Sequence, residues 1–338
     1  MSSVPYVSLV ANVSKLGDIL TIFINFILIY VTHFHIKEIT KAYKSLIILF
    51  ASLGIVFSVI ESIVQPFMHS YNSSFNYFTT SSVFGASKKL KTALLLLYSC
   101  LYAVFICLIA LQFFYRFLLI TDSPRIKLFS RSNVHWLFLY VSLGVGTWIF
   151  SITSGAEDTF TDDYLRVEMM TEYNCQIEQV PGYYMIIYEE VNGIRHFHQN
   201  GLIYVGGVSL FLVSQYSVIL YCSLNIQKKI TCLMRSQGTH RIQRQLFRTL
   251  VIQTLTPSLF HHFPIFLVYL LCFFDWNISF PSGVMISFFS FFPVADSLIL
   301  MSLVAEYRNV FRKVVFGRIL NMDQVNVSSI PEVTCTKA

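Results

Sequence analysis

The sequence predicts an all-α membrane protein, a bundle of seven transmembrane helices whose amino terminus lies outside the cell. Of the 338 residues, 55% are hydrophobic and 12% are charged, against about 45–50% and about 25% in soluble domains. The hydrophobic residues come in seven long blocks separated by short polar stretches. Lysine and arginine are concentrated in alternate loops, which predicts the orientation of the bundle.

Each hydrophobic block is long enough to cross a bilayer. About 20 helical residues, at about 1.5 Å each, span a hydrocarbon core of roughly 30 Å. Strands are a poor alternative because the blocks are too long and do not alternate strictly. The predicted helices are 16–34, 43–67, 92–120, 134–153, 201–224, 246–273 and 283–305. Residues 1–15 then form an extracellular amino terminus and 306–338 a cytoplasmic tail.

The basic residues support this orientation. With the amino terminus outside, eighteen lysines and arginines fall on the inner side and six on the outer side. Such an excess is typical of cytoplasmic loops. The net charge of +6 is therefore explained by contact with the inner lipid leaflet and gives no reason to expect nucleic acid as a partner.

The longest segment outside the membrane is the loop 154–200, between the fourth and fifth helices. It contains nine acidic and two basic residues, and we expect a hydrated cap over the outer end of the bundle. A solvated surface explains these acids better than a site for a cation or cationic ligand. Asn12 and Asn72 begin Asn-x-Ser sequons on the outer side, so both are predicted glycosylation sites.

The remaining reactive residues do not form a catalytic set. The sequence has no glycine-rich phosphate loop, no Gly-x-Ser-x-Gly motif and no His or Cys pattern with metal-ligand spacing. We therefore predict neither an enzyme nor a bound cofactor or metal. Cys175 is the one cysteine in the outer loop, and a free thiol is favoured over a disulfide with Cys100.

Two acidic residues fall inside predicted helices, Glu61 in the second and Asp296 in the seventh. Ionisable groups at such depth are expensive unless they face the bundle interior. A structural interhelical hydrogen bond and a ligand-binding or switching role are both open for each of them. For Asp296 we expect a polar partner on the second or third helix.

Several motifs spread along the chain resemble one family of receptors. They are Gln-Pro-Phe-Met-His at 65–69, Tyr-Arg at 115–116, Tyr-Glu-Glu-Val-Asn-Gly-Ile-Arg-His at 188–196, Arg-Gln-Leu-Phe-Arg at 244–248, Gln-Thr-Leu-Thr-Pro at 253–257, and Phe-Pro-Val-Ala-Asp-Ser-Leu-Ile at 292–299 with Tyr-Arg at 307–308. As a set they are similar to the nematode seven-transmembrane chemoreceptors of the Str type, the group that includes the diacetyl odorant receptor. The resemblance spans residues 10–318.

This resemblance implies a G protein-coupled olfactory receptor in the plasma membrane, in the ciliary membrane of a chemosensory neuron. A small-molecule odorant would bind in the outer half of the bundle, and a heterotrimeric G protein would bind at the inner face. Tyr115 and Arg116, placed like the residues that close the third helix in rhodopsin-like receptors, would serve coupling. Asp296 would act in switching, although Ser297 follows it where the motif has proline.

The residues themselves are compatible with such a device. Pro257 and Pro264 in the sixth helix each remove a backbone donor and permit a kink, which offers an element that can swing. Simple packing features explain these prolines equally well. A ligand site outside and a G protein site inside would have to bias one bistable bundle.

Depth along the helices predicts the ligand site. Tyr98 and Tyr102 lie about 27 and 21 Å above Arg116 along the third helix, one turn apart on the same face. His262, Phe266 and Tyr269 repeat at helical spacing in the outer half of the sixth helix. We expect these five side chains to line a small apolar pocket between the third, fifth and sixth helices, beneath the loop 154–200. Lipid-facing or core packing is the rival interpretation.

Two other functions remain open from sequence alone. One is a seven-helix ligand-gated channel or a transporter, although channels of the insect odorant type place the amino terminus inside and transporters show paired repeats. The basic-residue bias and the lack of a visible repeat argue against both. The other is a receptor for a non-odorant ligand such as a peptide.

Overall fold

The computed structural model describes residues 4–310 apart from 38, 82–84, 192, 234–239, 275 and 277. Most of the predicted cytoplasmic tail thus lies outside the described residues. The helices are α1 (Val4–Phe34), α2 (Lys41–Val64), α3 (Lys88–Ile120), α4 (His135–Thr153), α5 (Thr159–Tyr173), α6 (Gln199–Leu233), α7 (His240–Pro257), α8 (Phe263–Phe274) and α9 (Val284–Leu303). The strands are β1 (Pro66–Tyr71), β2 (Ser74–Thr79), β3 (Gly182–Ile186), β4 (Tyr188–Val191), β5 (Ile194–Phe197) and β6 (Ser279–Phe280).

Seven apolar segments form the bundle. Six helices in the described part of the chain, α1, α2, α3, α4, α6 and α9, are long and apolar enough to span a membrane. The seventh segment consists of α7 and α8, joined by a π-helical turn over Ser258–His262. The seven-helix fold class predicted from the sequence is therefore confirmed, while α5 lies in the outer loop.

The first two helices differ in length from their predicted ranges. Helix α1 begins at Val4, twelve residues earlier than predicted, with Pro5 in the first turn, where proline needs no amide donor. Helix α2 ends at Val64 instead of 67, and Gln65 takes a left-handed conformation with φ 47°. The cause is Pro66, which cannot donate a hydrogen bond and disfavours a helical conformation in the residue before it.

Helix α3 runs through the centre of the bundle and is buried along most of its length. Helices α4 and α6 pack on one of its sides at close range because they meet through glycines. A Cβ added at Gly207 would lie 2.0 Å from the Ser151 hydroxyl, and one added at Gly144 would lie 2.7 Å from the Cys107 sulfur. Small residues allow such close helix contacts in membranes.

A four-stranded antiparallel sheet covers the outer end of the bundle, in the order β3-β2-β1-β6. Strands β1 and β2 form a hairpin through a two-residue turn, in which Asn72 has a left-handed φ of 47°, as asparagine tolerates. Strand β3 comes from the loop between the fourth and fifth helices and pairs with β2. Backbone hydrogen bonds therefore join the first and second outer loops into one cap.

Candidate functional site

An apolar cavity of about 60 Å³ lies in the outer half of the bundle, beneath the sheet. Helices α2, α3, α4, α6, α8 and α9 and the hairpin β1–β2 all contribute to its wall. The lining residues are Phe57, Met68, Phe75, Tyr77, Tyr98, Ser99, Tyr102, Trp148, Ile152, Tyr204, Val208, Ile265, Tyr269 and Phe289. Nine of these fourteen are aromatic and most of the fourteen are buried, so the cavity has the apolar wall of a small-molecule site.

Two residues that line this cavity each carry a buried hydrogen-bond donor without a partner. Within the described residues, the Tyr98 hydroxyl and the Trp148 indole N–H have no hydrogen-bond partner. Other polar groups of the wall are engaged, since the Tyr77 hydroxyl donates to the Leu95 carbonyl at 3.1 Å. A buried donor without a partner is costly. The cavity is thus suited to a ligand that brings a hydrogen-bond acceptor.

A second apolar cavity of about 230 Å³ adjoins the first. Phe57, Tyr102 and Phe289 line both cavities and separate them. The second cavity lies between the sixth and seventh transmembrane segments, against Pro257 and Ala295. A cavity of about 150 Å³ can hold benzene, so the second cavity alone has room for a compact volatile molecule.

His262 lies beneath the first cavity in a hydrogen-bonded group. Its Nε2 contacts the Tyr102 hydroxyl, and its Nδ1 lies 2.9 Å from the Tyr216 hydroxyl. Tyr216 also contacts the Ser258 hydroxyl at 2.8 Å. A neutral imidazole donates from one nitrogen and accepts at the other, so His262 links α3 to α6 across the π-helical turn.

The structure brings together four of the five predicted ligand residues. Tyr98, Tyr102 and Tyr269 line the first cavity, and His262 bonds to Tyr102. Phe266 does not belong to the site, because 55% of its surface is exposed on the outside of the bundle.

The reason is the helical phase of α8. Its inward stripe is formed by Ile265, Val268, Tyr269 and Cys272, whereas Phe266 follows Ile265 by one residue, or about 100° around the helix. Phe266 therefore shares the exposed face with Phe263 and Leu267. The spacing in the sequence predicts one uninterrupted helical period from His262, whereas His262 ends a wider π-helical turn in the structure.

The predicted site includes no residue of the fifth helix, and the contributions of the fourth helix and the hairpin are not predicted from the sequence. Trp148 lies near the outer end of α4, and Tyr204 lies near the outer end of α6. Their position along the helices could have indicated this role, since both are aromatic residues in the outer half of the bundle, as Tyr98 is. No comparable signal pointed to Met68, Phe75 and Tyr77, because the hairpin itself was not predicted.

At the inner end, Arg116 is 1% exposed and its guanidinium lies 3.8 Å from the centroid of the Tyr43 ring on α2. It does not extend to the lipid headgroups. Tyr115 stacks on the same ring, and its hydroxyl lies 2.8 Å from that of Thr40. The Tyr-Arg pair thus connects α3 to the inner end of α2.

Asp296 is buried in the bundle and contacts a glutamine. The Gln253 amide donates to the Asp296 backbone carbonyl at 3.1 Å, and its side chain also interacts with the Asp296 carboxyl. Gln253 belongs to α7, so the partner comes from the sixth transmembrane segment and not from the second or third as expected. Further along, the Tyr307 hydroxyl lies 2.8 Å from that of Thr32 on α1.

A polar cluster holds α5 against the sheet. His69 on β1 is completely buried, and its two ring nitrogens each lie 2.9 Å from a partner, the Glu168 carboxylate and the Tyr173 hydroxyl. Ser279 on β6 donates to the same Glu168 oxygen at 2.5 Å. Burial opposes ionisation of Glu168, but the hydrogen bonds from His69 and Ser279 outweigh it and lower its pKa.

The predicted modification sites lie at the outer surface. Asn12 is exposed on α1, within the helix and not in a separate amino-terminal segment. Asn72 is half-buried at the hairpin turn, where its backbone amide donates to the Ile278 carbonyl at 3.1 Å. Cys175 and Cys100 are both free thiols.

The fold is a seven-helix bundle with the architecture of rhodopsin. The crystal structure of squid rhodopsin matches with a TM-score of 0.60, covering 97% of this chain and 93% of that one. The identity between them is 12%, so this likeness concerns the fold alone.

The family is defined by sequence. The profile described as "Serpentine type 7TM GPCR chemoreceptor Str" matches residues 10–312. The G-protein coupled receptor str-33 of Caenorhabditis elegans is 34% identical over 300 residues, 87% of each chain. The serpentine receptor class r-10 of the same species is 25% identical over 98% of this chain and 100% of its own length. The chain belongs to the Str family of serpentine chemoreceptors and is a multi-pass membrane protein.

Proposed function

We propose that this chemoreceptor detects a small, mostly apolar odorant in the two adjoining cavities and transmits the signal to a heterotrimeric G protein at its inner face. The observation that supports the proposal is the aromatic cavity, whose lining residues Tyr98 and Trp148 have buried donors without a hydrogen-bond partner in the described part of the chain. Burial in aromatic walls supplies affinity for a volatile compound, and a few hydrogen bonds orient it.

The same donors define the chemistry of the ligand. A hydroxyl and an indole N–H can both be satisfied by an acceptor oxygen, such as that of a ketone, aldehyde, ester or ether. A pure hydrocarbon would leave both donors without partners at a cost of about 1–3 kcal/mol each. We therefore expect acceptor-bearing volatiles to be the ligands.

A peptide ligand is disfavoured by the cap. Strands β1, β2 and β3 are buried along their length and their side chains Met68, Phe75 and Tyr77 close the cavity. A peptide would need an open outer end. The ligand-gated channel and the transporter are disfavoured by the family to which the chain belongs.

The inner end supports coupling. The inner end of the bundle, where α2 begins and α3 ends, holds the contacts among Arg116, Tyr43 and Tyr115. Asp296 contacts Gln253 of the sixth transmembrane segment. An outward swing of that segment would break the contact between Gln253 and Asp296. We place the receptor in the ciliary membrane of a chemosensory neuron, the site that an odorant reaches first.

The test is nucleotide exchange on a heterotrimeric G protein by the receptor in lipid nanodiscs, in the presence of volatiles matched in carbon skeleton. We expect exchange to respond to one or more ketones or esters and not to the hydrocarbon of the same skeleton. A receptor at full folded abundance that responds best to the hydrocarbons would contradict the ligand class. Ligand binding without exchange on any heterotrimer would contradict the coupling.

A further inference from the structure

A small polar pocket, separate from the odorant cavities, lies between α1, α2 and α9 near the outer end of the bundle. It has a volume of about 30 Å³. Two carboxylates line it, Asp18 on α1 and Glu61 on α2, and they are 1% and 2% exposed. A void needs only about 10–15 Å³ to hold one water, so this pocket fits a bare or singly hydrated ion and excludes an odorant.

Each carboxylate is satisfied at one oxygen and not at the other. The Ser62 hydroxyl donates to Asp18 Oδ2 at 2.6 Å, and the Ser290 hydroxyl donates to Glu61 Oε1. In the described part of the chain, Asp18 Oδ1, Glu61 Oε2 and the hydroxyl of Ser14, which also lines the pocket, have no hydrogen-bond partner. Three buried oxygens are therefore left without a donor in one pocket.

Within the described residues, neither carboxylate belongs to an ion pair. The Tyr98 hydroxyl lies near Glu61 but not in hydrogen-bond geometry. Buried charges in proteins are paired or coordinate a metal ion. Carboxylate and hydroxyl oxygens are the ligands of hard cations, and no imidazole or thiolate lines the pocket to favour a transition metal.

The charge count selects a monovalent ion. Lys15 is exposed at the rim of the pocket and lines it together with Thr80, which is also exposed. When both carboxyls are ionised, as a bound cation favours, two carboxylates and one lysine leave a single negative charge, which one monovalent cation neutralises. The exposed rim gives access from the outer medium. We propose that Asp18, Glu61 and Ser14 bind a sodium ion between α1, α2 and α9.

The proposal does not depend on the odorant or the G protein, and the test therefore uses stability. The purified receptor is unfolded thermally in sodium chloride and in N-methylglucamine chloride at equal ionic strength, since the larger cation cannot fit the pocket. We expect sodium to raise the unfolding midpoint saturably. At tenfold above its Kd, sodium should increase the ratio of folded to unfolded receptor roughly elevenfold.

The variants Asp18→Asn and Glu61→Gln should lose this sodium dependence, while Asp296→Asn, which changes a buried carboxyl elsewhere in the bundle, should retain it. If a carboxyl variant does not fold, Ser14→Ala provides the test, and its half-saturating sodium concentration should be several times that of the parent protein. Sodium dependence that persists unchanged in Ser14→Ala, or in both carboxyl variants, would overturn the site. A saturable rise at about 1 mM calcium without sodium would overturn the monovalent assignment.

Discussion

The two ends of the bundle are closed by different means. The outer end is closed by a sheet, in which β1, β2 and β3 exchange backbone hydrogen bonds along their length. The inner end is closed by single side-chain contacts between helices, such as Thr32 to Tyr307 and Thr40 to Tyr115, each at 2.8 Å.

The two kinds of closure differ in how easily they open. A ladder of backbone hydrogen bonds must break cooperatively, whereas one side-chain hydrogen bond contributes only about 0.5–1.5 kcal/mol. The outer end is therefore preorganised around its cavities, and the inner end can open at a small cost. This is the arrangement that a ligand-controlled switch requires, because the ligand can supply only its differential affinity for two states.

The largest effect is expected at the inner end. Arg116→Ala should abolish G protein activation while leaving odorant binding intact, because we expect the guanidinium to leave the Tyr43 ring and meet the G protein in the active state. Nucleotide exchange and binding are measured on the same preparation, with surface abundance as the control. Normal exchange in Arg116→Ala would show that the inner contacts have no role in coupling.

The contact between the Arg116 guanidinium and the Tyr43 ring can be tested with two variants of Tyr43. Tyr43→Phe keeps the ring that the guanidinium faces at 3.8 Å, and it should leave ligand-free activity unchanged. Tyr43→Leu removes a cation–π contact of roughly 2 kcal/mol when desolvated, and it should raise ligand-free activity. Equal basal activity in the two variants would mean that this contact does not hold the inner end closed.

A smaller effect is expected at the outer cavity. Tyr98→Phe, Tyr102→Ala and His262→Ala should each shift the odorant dose response by about 1–2 kcal/mol, or roughly five- to thirtyfold. The cause is loss of an orienting hydrogen bond or of a packing wall. Phe266→Leu is the control, because this side chain faces outward and should not change sensitivity.

If the three cavity variants reach the surface and respond with unchanged sensitivity, the odorant binds elsewhere. A shift in Phe266→Leu as large as in the cavity variants would instead indicate a general effect on the bundle.

The smallest effect concerns the cap. The pKa of Glu168 is lowered in the folded receptor, so its contribution to stability is complete above the unfolded value near 4.5 and is lost as the pH falls through the folded value. The unfolding midpoint should therefore decline below about pH 4.5. This decline should be shallower in Glu168→Gln, and identical pH profiles would exclude the carboxylate as a support of the cap.

The helices could be predicted from the sequence because each depends on local composition and length. The sheet could not. His69 depends on Glu168 and Tyr173, about a hundred residues away, and β2 is paired with β3 at a similar separation. Such pairings have no local signal, and the proline at position 66 marked only where the second helix stops.

The site was predictable in part for the same reason. The sequence correctly places three tyrosines at one cavity, because depth along a helix can be counted in residues. They are Tyr98, Tyr102 and Tyr269. The prediction that Phe266 lines the cavity was wrong because the π-helical turn at Ser258–His262 interrupts the helical period of the sixth transmembrane segment. Trp148 was missed because the rotation of α4 toward α3 depends on close packing at Gly144 and Gly207.

The most direct test of the central claim, that an acceptor-bearing odorant binds in the outer cavity, compares two tryptophans. The Trp148 indole N–H faces the cavity without a partner in the described structure, whereas that of Trp136 donates to the Leu128 carbonyl at 2.8 Å near the inner end. The measurement is the dose response to a ketone that activates the receptor.

Trp148→Phe should reduce sensitivity to this ketone roughly five- to thirtyfold, as expected for loss of about 1–2 kcal/mol, at unchanged maximal response. Trp136→Phe should leave sensitivity unchanged at equal surface abundance. Unchanged sensitivity in Trp148→Phe, or an equal loss in both variants, would contradict the account.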